Sequence, residues 1–330
     1  MAFVRPTQSD VARLAGVSRQ TVSLVINNDP RVSDVKRVAV NNAMHELGYR
    51  ANAAARQLAS NRSNTIGIIC ADLLNPFVAV QLEMLRRSAQ ENGFMVAAFP
   101  VDENAEAERN ALDRMIESGV AGIVMLSPMA SRETLAKYGS LVPIVVISRD
   151  LLVEGVCFIK PDDELGSALA TKHIIDQGYD NVYFVGPLRD CEGDSTECRF
   201  VGYSKTMQEA GKPSRRIVTG EHNMDLVKNV LIENGQGTAF VCHNDKIALG
   251  VASVTVDQGL MPGEHVGISG YDNSYLSQYS GLPLTTVDMH IQVLVNHVLE
   301  TLNKMLAGDA FEAEVVVAPK LVIRKSTDRN

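Results

Sequence analysis

Apolar residues recur at helical spacing in three short stretches at the start of the chain. Val11, Ala12 and Ala15 share one face of the first stretch, and Val22, Val25 and Ile26 share one face of the second. A third helix is predicted over 33–47, with Val35, Val38 and Leu47 inward, Gly48 as its end and Tyr49 packing back. From Thr65 the pattern changes. Short β-branched runs at 65–71, 94–99, 122–126, 143–147, 156–159, 181–185, 216–219, 238–242 and 266–270 read as strands. Amphipathic stretches between them, such as 78–92, 103–118, 165–177, 199–210 and 247–258, read as helices. Strands alternating with helices predict parallel sheets covered on both faces, an α/β body built as two units in succession. A last helix near 289–306 and strands at 313–318 and 320–324 return the chain through both units.

The first two helices carry more than a core pattern. Thr7 can cap the first, with Asp10 in the acidic place of a capping box. Gly16 suits a turn with positive φ, and Ser18 caps the second helix. Ala12, four residues before that glycine, is small enough for two helices to cross closely. This is the layout of a helix–turn–helix, and it leaves Arg19, Gln20, Thr21 and Ser23 outside. Arginine reads guanine, and glutamine reads adenine, through paired hydrogen bonds in the major groove. The plainer alternative is a helical hairpin in an ordinary all-α domain.

Charge sharpens the picture. The chain of 330 residues has a formal net charge of −8, which alone argues against a DNA partner. Residues 1–62, however, hold nine Lys and Arg against four Asp and Glu, while the rest holds 22 against 35. The basic excess sits with the helix–turn–helix, as phosphate neutralisation requires. Segment 52–64 is alanine-rich and then Asn- and Ser-rich, and reads as a helix too short to stand alone followed by a flexible joint. The expected organisation is a DNA-binding domain at 1–50, a hinge helix and linker at 51–64, and a ligand-binding and dimerisation core at 65–330. Within that core one lobe is expected from about 65–160 with 289–312, and the other from 161–288 with 313–330.

Other chemistry finds little support. No apolar run precedes Thr7 and no window reaches 18 apolar residues, so a cytoplasmic, nucleoid-associated protein without membrane contact is expected. Cys70, Cys157, Cys191, Cys198 and Cys242 are odd in number and scattered, which suits reduced thiols, and no zinc-ligand spacing is present. Dinucleotide, P-loop, nucleophile-elbow and zincin motifs are missing. The reading is therefore a non-enzyme with no catalytic residues, no metal and no cofactor.

The segment DVARLAGVSRQTVSLVIN, followed by NNDPRVSD and ELGYRANAAARQLAS, resembles the DNA head and hinge of the LacI/GalR family of bacterial repressors. DLLNPFVAVQLEMLRRSAQENGF, GVAGIVMLSP, PIVVISRD, RFVGY, CHNDKIALG, ISGYDNSYLS and LTTV extend the resemblance through the core, over nearly the whole chain. The core alone also resembles periplasmic sugar-binding proteins. The resemblance implies a sequence-specific repressor of a carbohydrate-use operon, gated by a small molecule bound between the lobes. It places Arg19 and Gln20 on base edges with Thr21 beside them, and Thr7, Ser18, Asn27 and Ser33 on phosphates. Ala55 would lie against the minor-groove floor, and Leu58 would wedge between central base pairs and kink the DNA. The alternative for Leu58 is a core leucine of the bundle. Leu24, Ala51 and Ala59 depart from the family pattern, where arginine, proline and lysine occur.

For the effector the resemblance implies Asn75, Phe77, Arg149, Arg199, Asn244 and Asp272, all at predicted strand ends or helix starts. Ser148, Met289 and His222 stand at the corresponding positions where sugar binders often carry an aspartate, a polar residue and a stacking aromatic. A mono- or disaccharide is expected, and a nucleobase or sugar phosphate stays open. An ion pair between Arg199 and Asp272 across the lobes is the plainer reading of those two. The partner is double-stranded operator DNA with a pseudo-palindrome, which calls for a homodimer. The end KSTDRN lacks leucine heptads that would join two dimers. A second class, an enzyme or transport-type binding protein with a vestigial head, would need a catalytic pair or an export signal.

Overall fold

The structure, a computed structural model, describes residues 6–27, 29–50, 63–102, 104–219, 223–279 and 281–329. Contacts divide the chain into two units, Met1–Ser63 and Asn64–Asn330.

The first unit is all-α. Thr7 accepts from the Asp10 amide and Asp10 reaches back to the Thr7 amide, so the expected capping box opens α1 (Gln8–Ala15). Gly16 closes it at φ +64°. Ser18 caps α2 (Arg19–Ile26) by accepting from the Thr21 amide at 3.1 Å. α3 (Asp34–Leu47) follows and ends at Gly48, φ +62°. Val11, Ala12, Val22, Val25, Val32, Val40, Ala43 and Tyr49 form the core. One expectation fails. Val35 and Val38 are 81% and 57% exposed, because α3 turns the Val40, Ala43, Met44 and Leu47 face inward instead. Those four obey i, i+3, i+4, i+7 spacing, which Val35 and Val38 do not share.

The second unit holds two six-stranded sheets. In the first, β1 (Thr65–Cys70), β2 (Met95–Pro100), β3 (Gly122–Leu126), β4 (Ile144–Ile147) and β5 (Val156–Pro161) run parallel in the order β2-β1-β3-β4-β5. α4 (Pro76–Glu91), α5 (Ala105–Glu117) and α6 (Arg132–Gly139) connect them. α7 (Asp163–Asp176) then starts the second lobe. There β6 (Asn181–Gly186), β7 (Arg216–Val218), β8 (Thr238–Cys242), β9 (Val266–Tyr271) and β10 (Thr285–Asp288) repeat the order as β7-β6-β8-β9-β10. α8 (Ser195–Glu209), α9 (Asp225–Asn234), α10 (Asp245–Asp257) and the short α11 (Tyr275–Tyr279) lie between these strands. α12 (Ile291–Ala307) returns to pack on α4, β4 and β5. The fold is thus an all-α region followed by a two-lobed body of parallel sheets.

The last strands correct the expected lobe limits. β11 (Glu314–Val317) adds in parallel to β5 of the first sheet, and only β12 (Lys320–Val322) joins the second, antiparallel to β10. The chain therefore crosses back after Val317, not after residue 312. Helix starts are corrected too. α4, α7, α8 and α10 each begin two to four residues before the predicted start, at the side-chain caps Asn75, Asp162, Asp194 and Asn244. The helices α7, α8 and α10 open on polar residues, which hydrophobic periodicity misses, and α4 opens on Pro76, which is tolerated at a first helical position. β10 and α11 stand outside the predicted elements, whereas α6 and α9 fill gaps between predicted strands for which the pattern set no bounds. Within the second lobe, α7 and α8 meet at Gly202, where any Cβ would overlap the carbonyl of Glu164.

Candidate functional site

Arg19 and Gln20 are exposed at the amino end of α2. Arg19 Nε donates to Gln8 Oε1 at 3.3 Å, and the Thr21 hydroxyl lies 2.9 Å from that of Ser18. Arg19 and Gln20 thus lie in the first turn of α2, the end of a helix that favours an anion. Thr21 and Ser23 are half-buried, while Thr7, Ser18, Asn27 and Ser33 are exposed caps of the three helices. Ala55 and Leu58 lie outside the described residues.

In the second unit, the carboxyl ends of the strands of both lobes face one cavity of about 540 Å³. Repetition of one strand order in two sheets produces this: each sheet reverses direction beside β1 or β6, and the loops diverge there. Asp72, Asn75 and Phe77 follow β1, Asp102 follows β2, Ser127 follows β3 and Ser148 follows β4. From the other lobe come Arg189 after β6, Ser195 and Arg199 on α8, His243 and Asn244 after β8, Asp272 after β9 and Met289 after β10. Phe77, Val78, Ile247 and Met289 supply apolar surface. Lys246 Nζ, of the second lobe, reaches Asp72 Oδ2 of the first at 3.6 Å.

Backbone strain is concentrated here. Asp102, Ser127, Ser148 and Asp272 take φ of +49°, +48°, +61° and +103°. Non-glycine residues in such conformations persist where the surroundings hold them, and they cluster at ligand clamps and switches.

Arg199 is the best-held cation of the cavity. Its Nε donates to Asp163 Oδ1 at 2.7 Å, Nη1 donates to the His243 carbonyl at 2.5 Å, and its guanidinium stacks 3.6 Å from the centre of the Tyr271 ring. Burial works against its charge, but Asp163, then Tyr271 and Asp272, more than offset this and hold its pKa above the usual value. Asp272 Oδ1 lies 3.9 Å from Arg199 Nη1. Both residues belong to the second lobe, so this pair does not bridge the lobes. His243 is 6% exposed, and burial, then Arg199, Arg189 and Arg216, push its pKa well below the ordinary histidine value. Its imidazole is neutral at neutral pH, and Nδ1 meets no hydrogen-bond partner among the described residues. Asp245 sits beneath, accepting from Thr286 Oγ1 at 2.6 Å and from the amide and hydroxyl of Ser274 at 2.7 and 2.8 Å.

Of the residues expected at the effector, Asn75, Phe77, Ser148, Arg199, Asn244, Asp272 and Met289 come together in the cavity. Asn75 and Asn244 also cap their helices, accepting from the Phe77 amide at 3.0 Å and the Ile247 amide at 2.8 Å. Arg149 does not line the cavity. Beyond the left-handed Ser148 its side chain turns away and is buried among the carbonyls of Pro128, Ala130 and Glu192. His222 lies outside the described residues. Asp72, Gln81, Asp102, Ser127, Arg189, Ser195 and His243 line the cavity without having been foreseen. Position one residue past a predicted strand is the signal that could have found Asp72, Ser127 and His243. Among the described residues, no group of three or more His, Cys, Asp or Glu could hold a metal ion. No helix there is long and apolar enough to cross a membrane.

A helix–turn–helix unit and a two-lobed body with facing strand ends define a regulator with a periplasmic-binding-protein-like core. Comparison with known proteins agrees. Residues 7–52 match the profile of bacterial regulatory proteins of the lacI family, and residues 171–327 match a periplasmic binding protein-like domain. The HTH-type transcriptional regulator GalR of Escherichia coli strain K12 is 34% identical over 334 residues, covering 97% of this chain and 95% of GalR. Among solved structures, the lac repressor dimer bound to operator and the anti-inducer ONPF superposes with a TM-score of 0.85 at 25% identity, covering 98% of this chain and all of that one. The regulator CelR in complex with cellobiose has the same fold, with a TM-score of 0.71 at 24% identity over 98% of this chain and all of CelR. This chain belongs to the lacI family of bacterial regulatory proteins. It is a DNA-binding transcriptional regulator, a member of a family of regulators and not of enzymes.

Proposed function

We propose that the protein is a repressor of carbohydrate-use genes, binds a pseudo-palindromic operator as a homodimer and is gated by a mono- or disaccharide held between its lobes. The observation that carries this reading is the cavity at the facing strand ends. It combines fixed donors and acceptors (Arg199, Asn244, Asp272, Asn75 and Ser148) with the apolar surface of Phe77 and Met289, the mixture that a ring with hydroxyls on its edges and C–H on its faces requires. A sugar in the cleft would contact both lobes and favour one relative orientation. It shifts the equilibrium by its differential affinity, of order 1–3 kcal/mol of coupling. CelR, with cellobiose, is a precedent within the fold for a sugar ligand.

On the DNA side, Arg19 and Gln20 read base edges, with Thr21 and Ser23 beside them and Thr7, Ser18, Asn27 and Ser33 on phosphates. Ala55 and Leu58 of the hinge enter the minor groove. The lac repressor, captured as a dimer on operator, supports a two-fold site. The division into a DNA-binding domain at 1–50, a hinge at 51–64 and a core at 65–330 belongs to the same proposal, as does a cytoplasmic, nucleoid-associated location.

The test is selection of bound sequences from a random duplex library, followed by a thermal-shift screen of sugars on the full chain. The expected result is a two-fold symmetric site and a concentration-dependent rise in Tm with at least one sugar. An asymmetric or absent consensus would reject the operator reading, and a screen without response would reject the sugar.

A further inference from the structure

We propose that Arg149 is a latch: it fastens the 187–194 loop of the second lobe to the first lobe and thereby positions Leu188 and Arg189 on the wall of the cleft. The Arg149 side chain is 3% exposed and is held by carbonyls from both lobes. Nη1 donates to Ala130 at 2.7 Å and to Pro128 at 3.1 Å within its own lobe, and Nη2 donates to the Glu192 carbonyl across the seam. Nε meets no acceptor among the described residues. A carbonyl offers only a dipole to a full charge, so a buried guanidinium held this way depends on every one of its carbonyls staying in place. Displacing the loop by one hydrogen-bond length removes one of three.

Contacts that do not involve the Arg149 side chain mark the same seam. The Asp150 amide donates to the Gly193 carbonyl at 2.9 Å, and the backbones of Arg149 and Asp194 pair as an isolated antiparallel bridge. Arg132 Nη2 lies 2.7 Å from Glu192 Oε1. Gly193, at φ +71°, faces Asp150 so closely that any Cβ would overlap its carbonyl. Only glycine lets the two segments touch. One strand-like segment from each lobe thus pairs outside either sheet, with a buried cation closing over the contact. The loop has a second face, since Leu188 and Arg189 line the cavity. Cleft wall and interlobe seam are one piece of chain, so a molecule that displaces the wall also strains the seam. This regulatory meaning rests on the proposed effector reading, whereas the latch itself does not.

Backbone amide exchange on the full chain, resolved at Asp150, reads the seam without any sugar. In Arg149→Ala the Asp150 amide is expected to exchange at least tenfold faster, with Val145 and Val146 of β4 unchanged. Arg149→Lys keeps a cation but not the fork and is expected to follow Arg149→Ala. Gly193→Ala, made independently, is expected to release Asp150 by pushing the loop away, and it carries the test should Arg149→Ala not fold. Unchanged protection of Asp150 in a folded variant, or acceleration shared equally with β4, overturns the latch. A failed sugar screen would leave these exchange rates untouched, so the two readings fail separately.

Discussion

The carboxylate of Asp245 receives both the amide and the hydroxyl of Ser274, at 2.7 and 2.8 Å, and ties the first turn of α10 to the turn that carries Asp272. Thr286 adds a third donor at 2.6 Å. On the far side, Arg324 Nη2 holds Asn273 Oδ1 at 2.7 Å. Asp272 and Asn273 are both left-handed, a conformation that costs about 1–3 kcal/mol per residue unless held. This clasp keeps Asp272 at the cleft.

Titration exposes the clasp. Burial, against the hydrogen bonds of Thr286 and Ser274, raises the Asp245 pKa to about 6. A carboxyl raised on folding binds its proton where the unfolded chain has already lost it. The stability this confers is present at low pH and lost as pH rises from the unfolded value of 3.8 to about 6. A shift of this size corresponds to about 3 kcal/mol. Thermal and urea unfolding of wild type and Asp245→Asn between pH 4 and 7 should diverge by that order, with wild type losing ground as pH rises. Parallel curves would mean that Asp245 does not titrate as described.

Arg199 and Asp163 form a buried pair whose partners depend on each other. Arg199→Met strands the Asp163 carboxylate, and a loss of about 3–5 kcal/mol is expected. Adding Asp163→Asn should recover part of it. Double-mutant analysis by urea unfolding checks this: simple additivity would show that the two side chains do not interact.

Gly202 tests the crossing of α7 and α8. Alanine is the better helix former by about 1 kcal/mol, so propensity alone predicts stabilisation. The overlap with the Glu164 carbonyl predicts a cost of about 1–3 kcal/mol or more from overpacking. A lower Tm for Gly202→Ala shows that packing wins, whereas a higher Tm would contradict the close crossing.

Local features were legible in the sequence for a physical reason: they rest on residues within one helical turn of each other. The Thr7–Asp10 box, Gly16 and the Ser18 cap are of this kind. Strand ends were legible because buried parallel strands are runs of β-branched residues, and Asn75, Asn244 and Asp272, which the family resemblance supplied, follow such ends and line the cavity. What depends on three dimensions was not. Ser148 and Arg149 are neighbours at one strand end, and only the left-handed Ser148 backbone decides which faces the cleft. Val35 and Val38 fit a helical spacing of their own, but tertiary contacts chose the Val40 face. β10 is four residues, two of them threonine, and carries too little pattern to be read. Arg189 belongs to no motif.

At the DNA face, Arg19→Ala and Gln20→Ala are each expected to weaken binding to the selected operator by about 1–3 kcal/mol and to relax preference at one base pair. Fluorescence anisotropy on single-base operator variants measures both. Unchanged affinity with unchanged preference would remove α2 from the groove.

In the proposed function, the cleft and the DNA face are coupled. Operator affinity, measured by anisotropy with and without a sugar that raises the Tm of the full chain, tests this coupling most directly, with Asp272→Ala as control. A change of roughly 5–150-fold in operator affinity is expected for wild type. Asp272→Ala is expected to keep the sugar-free affinity and to show no change on adding sugar. A sugar that saturates the wild-type protein and leaves its operator affinity unaltered would show that cleft and DNA face are not coupled.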